Sequence, residues 1–432
     1  MTSKGLLTPQ KVRSLQRALY RQAKAHPRWR AWSLYGELCR REVLEKALKD
    51  VISHAGAPGE DGETTEAIKA RSSSFLDGLQ KELCDRSYRP RPVLRVWIPK
   101  DNGKDRPIGI NTVKDRVVQT ALVLLLQPIL EAGFHDLSFA YRPRRNARQA
   151  VNAVQKALLQ GKTEVIDADL SGYFDTIPRR RLMSLVAKRV SDGGVLGLIK
   201  LILNAPIVEE REGVRKIQVS GCGVPQGGSL SPLLSNLYLN ELDHEVNERR
   251  ELGVTLVRFA DDLVLLCFPG RGQEHYVRLR EYLQRKGLAL NETKTKVLDA
   301  NQESFRFVGF QIGMGTSHKS GNRYTHVEPS RKAQQSLRQA LRTKLNHWTT
   351  WRNSAQVIQE INRIVRGWSN YFHYGNCSVV FGKIRSWTIQ RVRKWLWKKH
   401  DRKPGRYTYF TDQRIYGDYQ LWKIPVTAGW TR

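Results

Sequence analysis

The sequence predicts an α+β fold with a largely antiparallel sheet, followed by an all-helical C-terminal unit. Three observations carry that reading. Short Val/Ile/Leu-rich runs bounded by turn signals alternate with helical repeats between residues 91 and 313. Two of these runs meet at an Asp-Asp tip in TLVRFADDLVLLC, residues 255–267. Beyond residue 331 apolar residues recur at helical spacing.

In chain order, residues 9–50 read as helical, with Val12, Leu15 and Leu19 on one face. The Gly/Pro-containing stretch SHAGAPGEDGETT then breaks the helix. RPVLRVWIPK, DNGKD and RPIGI follow as strand, Asn-Gly turn and strand, a hairpin whose tip bears Lys100, Lys104 and Arg106. Helices are expected over 115–131 and 146–159, then a strand ending at Asp169 in TEVIDADLSGYFDTIP, with the aromatic Tyr173 and Phe174 just behind it. The Gly/Pro-rich GCGVPQGGSLSPLLSNLYL runs into a helix, the Asp261–Asp262 hairpin follows, and a helix near 273–286 precedes a last strand pair in SFRFVGFQIG. In the C-terminal unit, Leu337, Leu341, Leu345 and Trp348 form one helical series, and Ile358, Ile361, Val365 and Trp368 another. The expected division is 1–90, an N-terminal helical extension and the start of the next unit; 91–325, the sheet-containing unit; 326–400, the helical unit; and 401–432, a basic tail.

Charge points to a polyanion. The 432 residues include 73 Lys+Arg against 41 Asp+Glu, a formal charge of +32, more than solubility requires. Residues 331–432 alone hold 21 Lys+Arg against 4 Asp+Glu, a net of 21 − 4 = +17, together with eight of the eleven tryptophans. No long apolar run or lipid-binding helix argues for a membrane. Cys39, Cys84, Cys222, Cys267 and Cys377 are scattered without metal-ligand spacing, and the N-terminus lacks a signal-peptide core, so a reducing cytoplasm is the expected compartment.

The carboxylates suggest a reaction. Joining a nucleotide to a 3′-hydroxyl requires lowering the pKa of that hydroxyl and neutralising charge on pyrophosphate, which two Mg²⁺ ions about 3.5 to 4 Å apart accomplish when carboxylates from separate strands converge. Asp169, Asp261 and Asp262 form such a sparse oxygen-donor set, suited to Mg²⁺. Lys100 and Arg106 suit an incoming triphosphate, and Gln226, followed by Gly227 and Gly228, can approach the nucleotide closely.

The order GAPGEDG, IPKDNGKDRPIGI, KDRVVQTAL, FAYRPRRNARQAV, DADLSGYFD, VPQGGSLSPLLSNLYLNELD, RFADDLVLLC, GLALNETKTKV, FRFVGF and RGWSNYF resembles reverse transcriptases of the bacterial group II intron type over nearly the whole chain. The resemblance implies a right-hand polymerase, with fingers and palm followed by a helical thumb and maturase region. It implies Asp169, Asp261 and Asp262 as catalytic metal ligands, with Asp167 and Asp175 flanking the site. Phe174 becomes the gate against a ribose 2′-hydroxyl, Lys100, Arg106 and Gln226 lie at the nucleotide, and Lys294 lies near the departing pyrophosphate. The implied partners are an RNA template, such as a group II intron RNA, a DNA or RNA primer, and deoxynucleoside triphosphates. RGWSNYF resembles the segment of the maturase region that binds intron RNA. Phe259 stands where the family has tyrosine, Ala140 and Arg144 where it has glycine, and Asn111 where it has proline. The Cys- and His-containing endonuclease segment that many members append is not expected. Alternative readings are a splicing cofactor with a relic polymerase site, an RNA-dependent RNA polymerase, against which bulky Phe174 argues, and a reverse transcriptase recruited to defence or DNA repair.

Overall fold

A computed structural model describes residues 9–99, 105–211, 214–400 and 405–426. Its strands are β1 (Val93–Pro99), β2 (Asp105–Ile110), β3 (Glu164–Asp169), β4 (Ile207–Arg211), β5 (Val214–Gln218), β6 (Thr255–Phe259), β7 (Asp262–Cys267), β8 (Lys296–Asp299), β9 (Phe305–Phe307), β10 (Phe310–Thr316) and β11 (Arg323–Pro329). They form three sheets, in the orders β2-β1-β4-β5, β6-β7-β3-β8 and β11-β10-β9. All pairings are antiparallel except β1 with β4.

The middle sheet is covered on both sides, which explains why its strands read as nearly continuous apolar runs. Ile166, Leu256, Leu263 and Leu265 face one core, built with the long helix Val113–Glu131 and the helix Ser231–Asn247. Val165, Val257, Val264 and Leu266 face a second core shared with the C-terminal helices. The period of two along each strand therefore divides one sheet between two hydrophobic cores.

The N-terminal region departs from a single helix. It comprises Gln10–Ala25, Tyr35–Leu38 and Arg41–Ser53. The break at His26–Leu34 contains Pro27, and its backbone is used elsewhere: Ala31 bridges Val190, and Asp192 Oδ2 accepts from Leu34 N and Tyr35 N at 2.7 and 2.8 Å. Tertiary hydrogen bonding thus competes successfully with helix continuation. The C-terminal unit is helical as expected, with Arg331–Lys344, Ser354–Phe372 and Ser378–Lys399 as its long members. Leu337, Leu341, Ile358, Ile361 and Val365 are buried. Trp348 does not extend the leucine series: the first helix ends at Lys344, and Trp348 lies in a short 3₁₀ turn, 75% exposed. Among the described residues no helix is long and apolar enough to cross a membrane.

A fully buried ion pair lies within this apolar framework. Arg258, the penultimate residue of β6 and 1% exposed, forms a bidentate pair with Asp243 on the helix Ser231–Asn247, Nε to Oδ1 at 2.8 Å and Nη2 to Oδ2 at 2.6 Å. Its Nη1 also donates to Asn236 Oδ1 at 2.8 Å and to the Ala260 carbonyl at 3.1 Å. Truncating one member of a buried pair strands the other charge without solvent, at a cost of about 3–5 kcal/mol. The Arg145–Asp136 pair has side chains 27% and 86% exposed, so its loss is expected to cost at most about 1 kcal/mol. Arg258→Ala should therefore lower denaturation stability several times more than Arg145→Ala; equal losses in chemical denaturation would refute the bracing role of Arg258.

Candidate active site

The carboxylates gather where β3, β6 and β7 end. Asp169, the last residue of β3, is the direct register partner of Asp262, the first of β7, and Asp262 also pairs with Phe259 at the end of β6. Asp167 lies two residues before Asp169 and shares its face of the strand. Asp261 occupies the two-residue turn with Ala260. Ala260 has φ +60, a left-handed conformation that costs an L-residue roughly 1–2 kcal/mol. The hydrogen bond from Arg258 to its carbonyl holds it there.

Burial, with crowding added, raises the affinity of Asp262 and Asp167 for protons. Although Asp262 is exposed as a residue, its carboxyl is pushed up to about 6, first by desolvation and then by Asp261, Asp167 and Asp169. Asp167 is also pushed up to about 6, by burial first and with Asp169 adding, while Arg306 and Lys296 oppose the shift. Lys294 Nζ supplies local compensation, donating to Asp169 Oδ2 at 2.8 Å. Among the described residues no three Asp, Glu, His or Cys side chains close on a single point. The neighbours are nevertheless all oxygen donors, and the mutual repulsion that Lys294 only partly offsets is what a hard divalent cation would remove, so the residues present fit Mg²⁺. A cleft of about 690 Å³ extends from Asp167, Asp169 and Asp262 past Lys294 and Arg306 to Lys332.

A second group stands on the fingers side. Arg106 Nε reaches Gln226 Oε1 at 3.5 Å, and Gln226 Nε2 donates to Asp175 Oδ2 at 3.1 Å. The Gln226 carbonyl accepts from Gly109 N at 2.7 Å, locking the glycine loop onto β2. This approach demands glycine at 227: φ is +105, and a Cβ would stand 2.2 Å from the Gly109 carbonyl oxygen. The two aromatics after β3 separate in role. Tyr173 is 3% exposed and its hydroxyl donates to the Ser235 carbonyl at 2.6 Å, whereas Phe174 is only partly buried. The Phe174 carbonyl accepts from Val224 N at 2.7 Å, tying its backbone to the loop that carries Gln226. Lys100 and Lys104 lie outside the described residues.

The departures have local accounts. Arg144, in place of the expected glycine, retains φ +60, as Tyr141 does with +57. Asn111 is 4% exposed and its Oδ1 accepts from Gln119 Nε2 at 3.1 Å. Phe259 packs at the edge of the second core. Sequence reasoning overlooked Arg258, Asn236 and Asp243, although an arginine in the otherwise apolar strand TLVRF was a signal available to it.

The reverse transcriptase (RNA-dependent DNA polymerase) family profile matches residues 98–312, and the group II intron, maturase-specific domain profile matches residues 334–413. The chain is 34% identical over 361 residues to protein YkfC of Escherichia coli K12, covering 74% of this chain and 93% of that one. It is 34% identical over 218 residues to the group II intron-encoded protein LtrA of Lactococcus lactis, covering 49% of this chain and only 34% of that longer protein. Among solved structures, a partial Cas6-RT-Cas1–Cas2 complex aligns with a TM-score of 0.37 at 21% identity, over 58% of this chain and 41% of that one.

The shifted carboxyls predict a pH-dependent response to metal. Because the folded values of Asp167 and Asp262, about 6, lie above the ordinary value of about 3.9, the folded chain binds more protons between these limits. Their contribution to stability is therefore present at low pH and is lost as pH rises through about 6. Mg²⁺ should raise the melting temperature at neutral pH by relieving that repulsion, with an increment that fades on acidification through the same range. Asp262→Asn should remove most of the increment; one that is independent of both pH and this substitution would locate the ion elsewhere.

Proposed function

The chain belongs to the group II intron-type reverse transcriptases, and from that premise we propose that Asp169, Asp261 and Asp262 are the residues with which it extends a primer 3′-hydroxyl on an RNA template. RNA-directed DNA polymerisation is the activity of its polymerase domain, and a maturase domain follows it. The single observation that supports the site assignment best is the direct β-register of Asp169 against Asp262, with Asp261 in the adjoining turn. Two Mg²⁺ held by these carboxylates would lower the pKa of the attacking hydroxyl and neutralise charge on the leaving pyrophosphate.

The chain's own side chains divide the remaining work. Arg106, in contact with Gln226, presents positive charge toward the triphosphate, and the Gly227 turn allows its backbone to lie close to the nucleotide. Lys294 keeps Asp169 paired when the site is empty of substrate and offers its ammonium to the departing pyrophosphate. Phe174, the less buried member of the aromatic pair, presents its ring to the sugar. The basic C-terminal unit holds intron RNA or another nucleic acid along its surface, an assignment supported by its net charge and by the maturase-domain match.

Two substitutions test the assignment. Asp261→Ala and Asp169→Ala should abolish primer extension on an RNA template while leaving RNA affinity nearly unchanged, since the basic surface is intact. Continued extension by either variant would place the chemistry elsewhere. Phe174→Val should raise ribonucleotide incorporation relative to deoxynucleotide in a folded enzyme. If Phe174 served only as core, emptying its site would instead cost ~3–5 kcal/mol and harm all substrates alike. An unchanged sugar ratio with a lowered melting temperature would defeat the gate assignment.

A further inference from the structure

We propose that Trp348 and Trp351, in the connection between the first two C-terminal helices, form a stacking platform for unpaired bases of the bound RNA. They are 75% and 82% exposed, a level that among the large apolar side chains of the described residues is otherwise reached by Trp32 at 75%. The inference rests on the nucleic-acid reading of the C-terminal unit and names the part of the RNA that this surface takes.

The connection that displays the two indoles is rigidly held. Thr349 Oγ1 donates to the Lys344 and Asn346 carbonyls at 2.9 and 2.8 Å and accepts from Trp395 Nε1 at 3.0 Å. Lys399 Nζ donates to the carbonyls of Thr350 and Arg352 at 2.9 and 3.0 Å. Asn353 caps the next helix by accepting from Ala355 N at 2.9 Å. Both residues that bracket the turn, Lys344 and Arg352, pair with Glu360, at 2.9 and 2.5 Å. The two donors hold the Glu360 carboxyl down to about 2, so it stays ionised and keeps both cations in place. A segment fixed at this many points has little freedom to fold its rings inward. Trp395, 2% exposed in the adjoining core, shows that burial is the alternative the same unit uses.

Charge selects the occupant. Lys344, Arg352 and Lys399 are held at this connection, the first two by the single carboxylate of Glu360 and the third by backbone carbonyls, on a unit carrying a net +17 from 21 Lys+Arg and 4 Asp+Glu. The His347 ring lies 4.2 Å from that of Trp348 and extends the aromatic surface. Flat π-surfaces amid cations match single-stranded nucleic acid, whose bases offer π-faces and whose phosphates offer negative charge. A fully paired helix keeps its bases stacked internally and gives the indoles nothing to bind.

The test compares a fluorescein-labelled single-stranded oligoadenylate with a fully paired RNA hairpin, using the full chain. Replacing Trp348 and Trp351 together with Ala should weaken oligoadenylate binding by roughly fivefold to a hundredfold per ring, with hairpin affinity unchanged. The log-log salt slope should also stay constant, because no phosphate contact is removed. Phe at both positions should restore most of the affinity, and primer extension from a pre-annealed template should persist in all variants. Unchanged oligoadenylate affinity in the Ala variant, or equal losses on both RNAs, would overturn the proposal. So would sedimentation showing a dimer that the Ala variant dissolves, which would assign the surface to a second copy of the chain. Failure of the unaltered chain to bind either RNA would instead remove the nucleic-acid reading on which the inference rests.

Discussion

The buried Arg258–Asp243 pair is the constraint on which the Asp261–Asp262 hairpin depends. A guanidinium with 1% exposure has no water to fall back on, so each N–H must find a protein acceptor, and the acceptors fix the surrounding backbone. Through Asp243 and Asn236 it binds β6 to the helix Ser231–Asn247, and through the Ala260 carbonyl it reaches the turn that carries Asp261. Asn236 Nδ2 in turn donates to the Ala140 carbonyl at 2.7 Å, and the Arg258 backbone pairs with Leu137 and Phe139. Three segments, residues 137–140, the helix Ser231–Asn247 and the β6 hairpin, are thereby joined around Arg258. A hairpin slipped by one residue would present the wrong face of β7 to β3 and separate Asp262 from Asp169.

That anchorage allows the site to tolerate arrangements that would be unfavourable alone. Ala260, Tyr141 and Arg144 all have left-handed backbone conformations, at φ +60, +57 and +60, and the first two are the residues on or next to carbonyls tied to the Arg258–Asn236 hub. The carboxylates add a second unfavourable term, since Asp167 and Asp262 sit near Asp169 with Lys294 as the paired cation. Strain and like-charge crowding in one place are characteristic of a site prepared for a ligand rather than for its own stability. The surrounding cores, which enclose the sheet from both sides, supply the stability that offsets them.

The C-terminal helices share their core with the palm sheet, so the carboxylate cluster and the basic C-terminal unit belong to a continuous packed body on that side. Phe305, Phe307, Phe310 and Val327 from β9, β10 and β11 lie between the sheet and the helices, and Phe310 packs edge-on against Phe372 at 5.0 Å. The cleft that begins at the carboxylates is lined on its far side by Lys332 and Ser336 of the first C-terminal helix. The cleft is thus bounded by the sheet on one side and by the start of the C-terminal helices on the other.

Much of this was legible in the sequence, for reasons of period and local turn chemistry. The pairing of β1 with β2, the strand ending at Asp169, the Asp261–Asp262 hairpin and the helical series through Leu337 and Ile358 all follow from patterns a few residues long. The order of motifs also identified the family. Tertiary structure alone decided which partner each pattern found. Nothing local announces that Asp192 caps a chain segment more than 150 residues away and so divides the N-terminal helix, or that Arg258 belongs inside with Asp243. The same spacing that buries Leu337 and Leu341 predicted burial for Trp348, yet the helix ends first and the indole faces solvent. Sequence period specifies which face of an element is apolar; hydrogen bonds between distant segments decide where the element stops and which charge the core accepts, because a buried polar group must be satisfied wherever the partner lies.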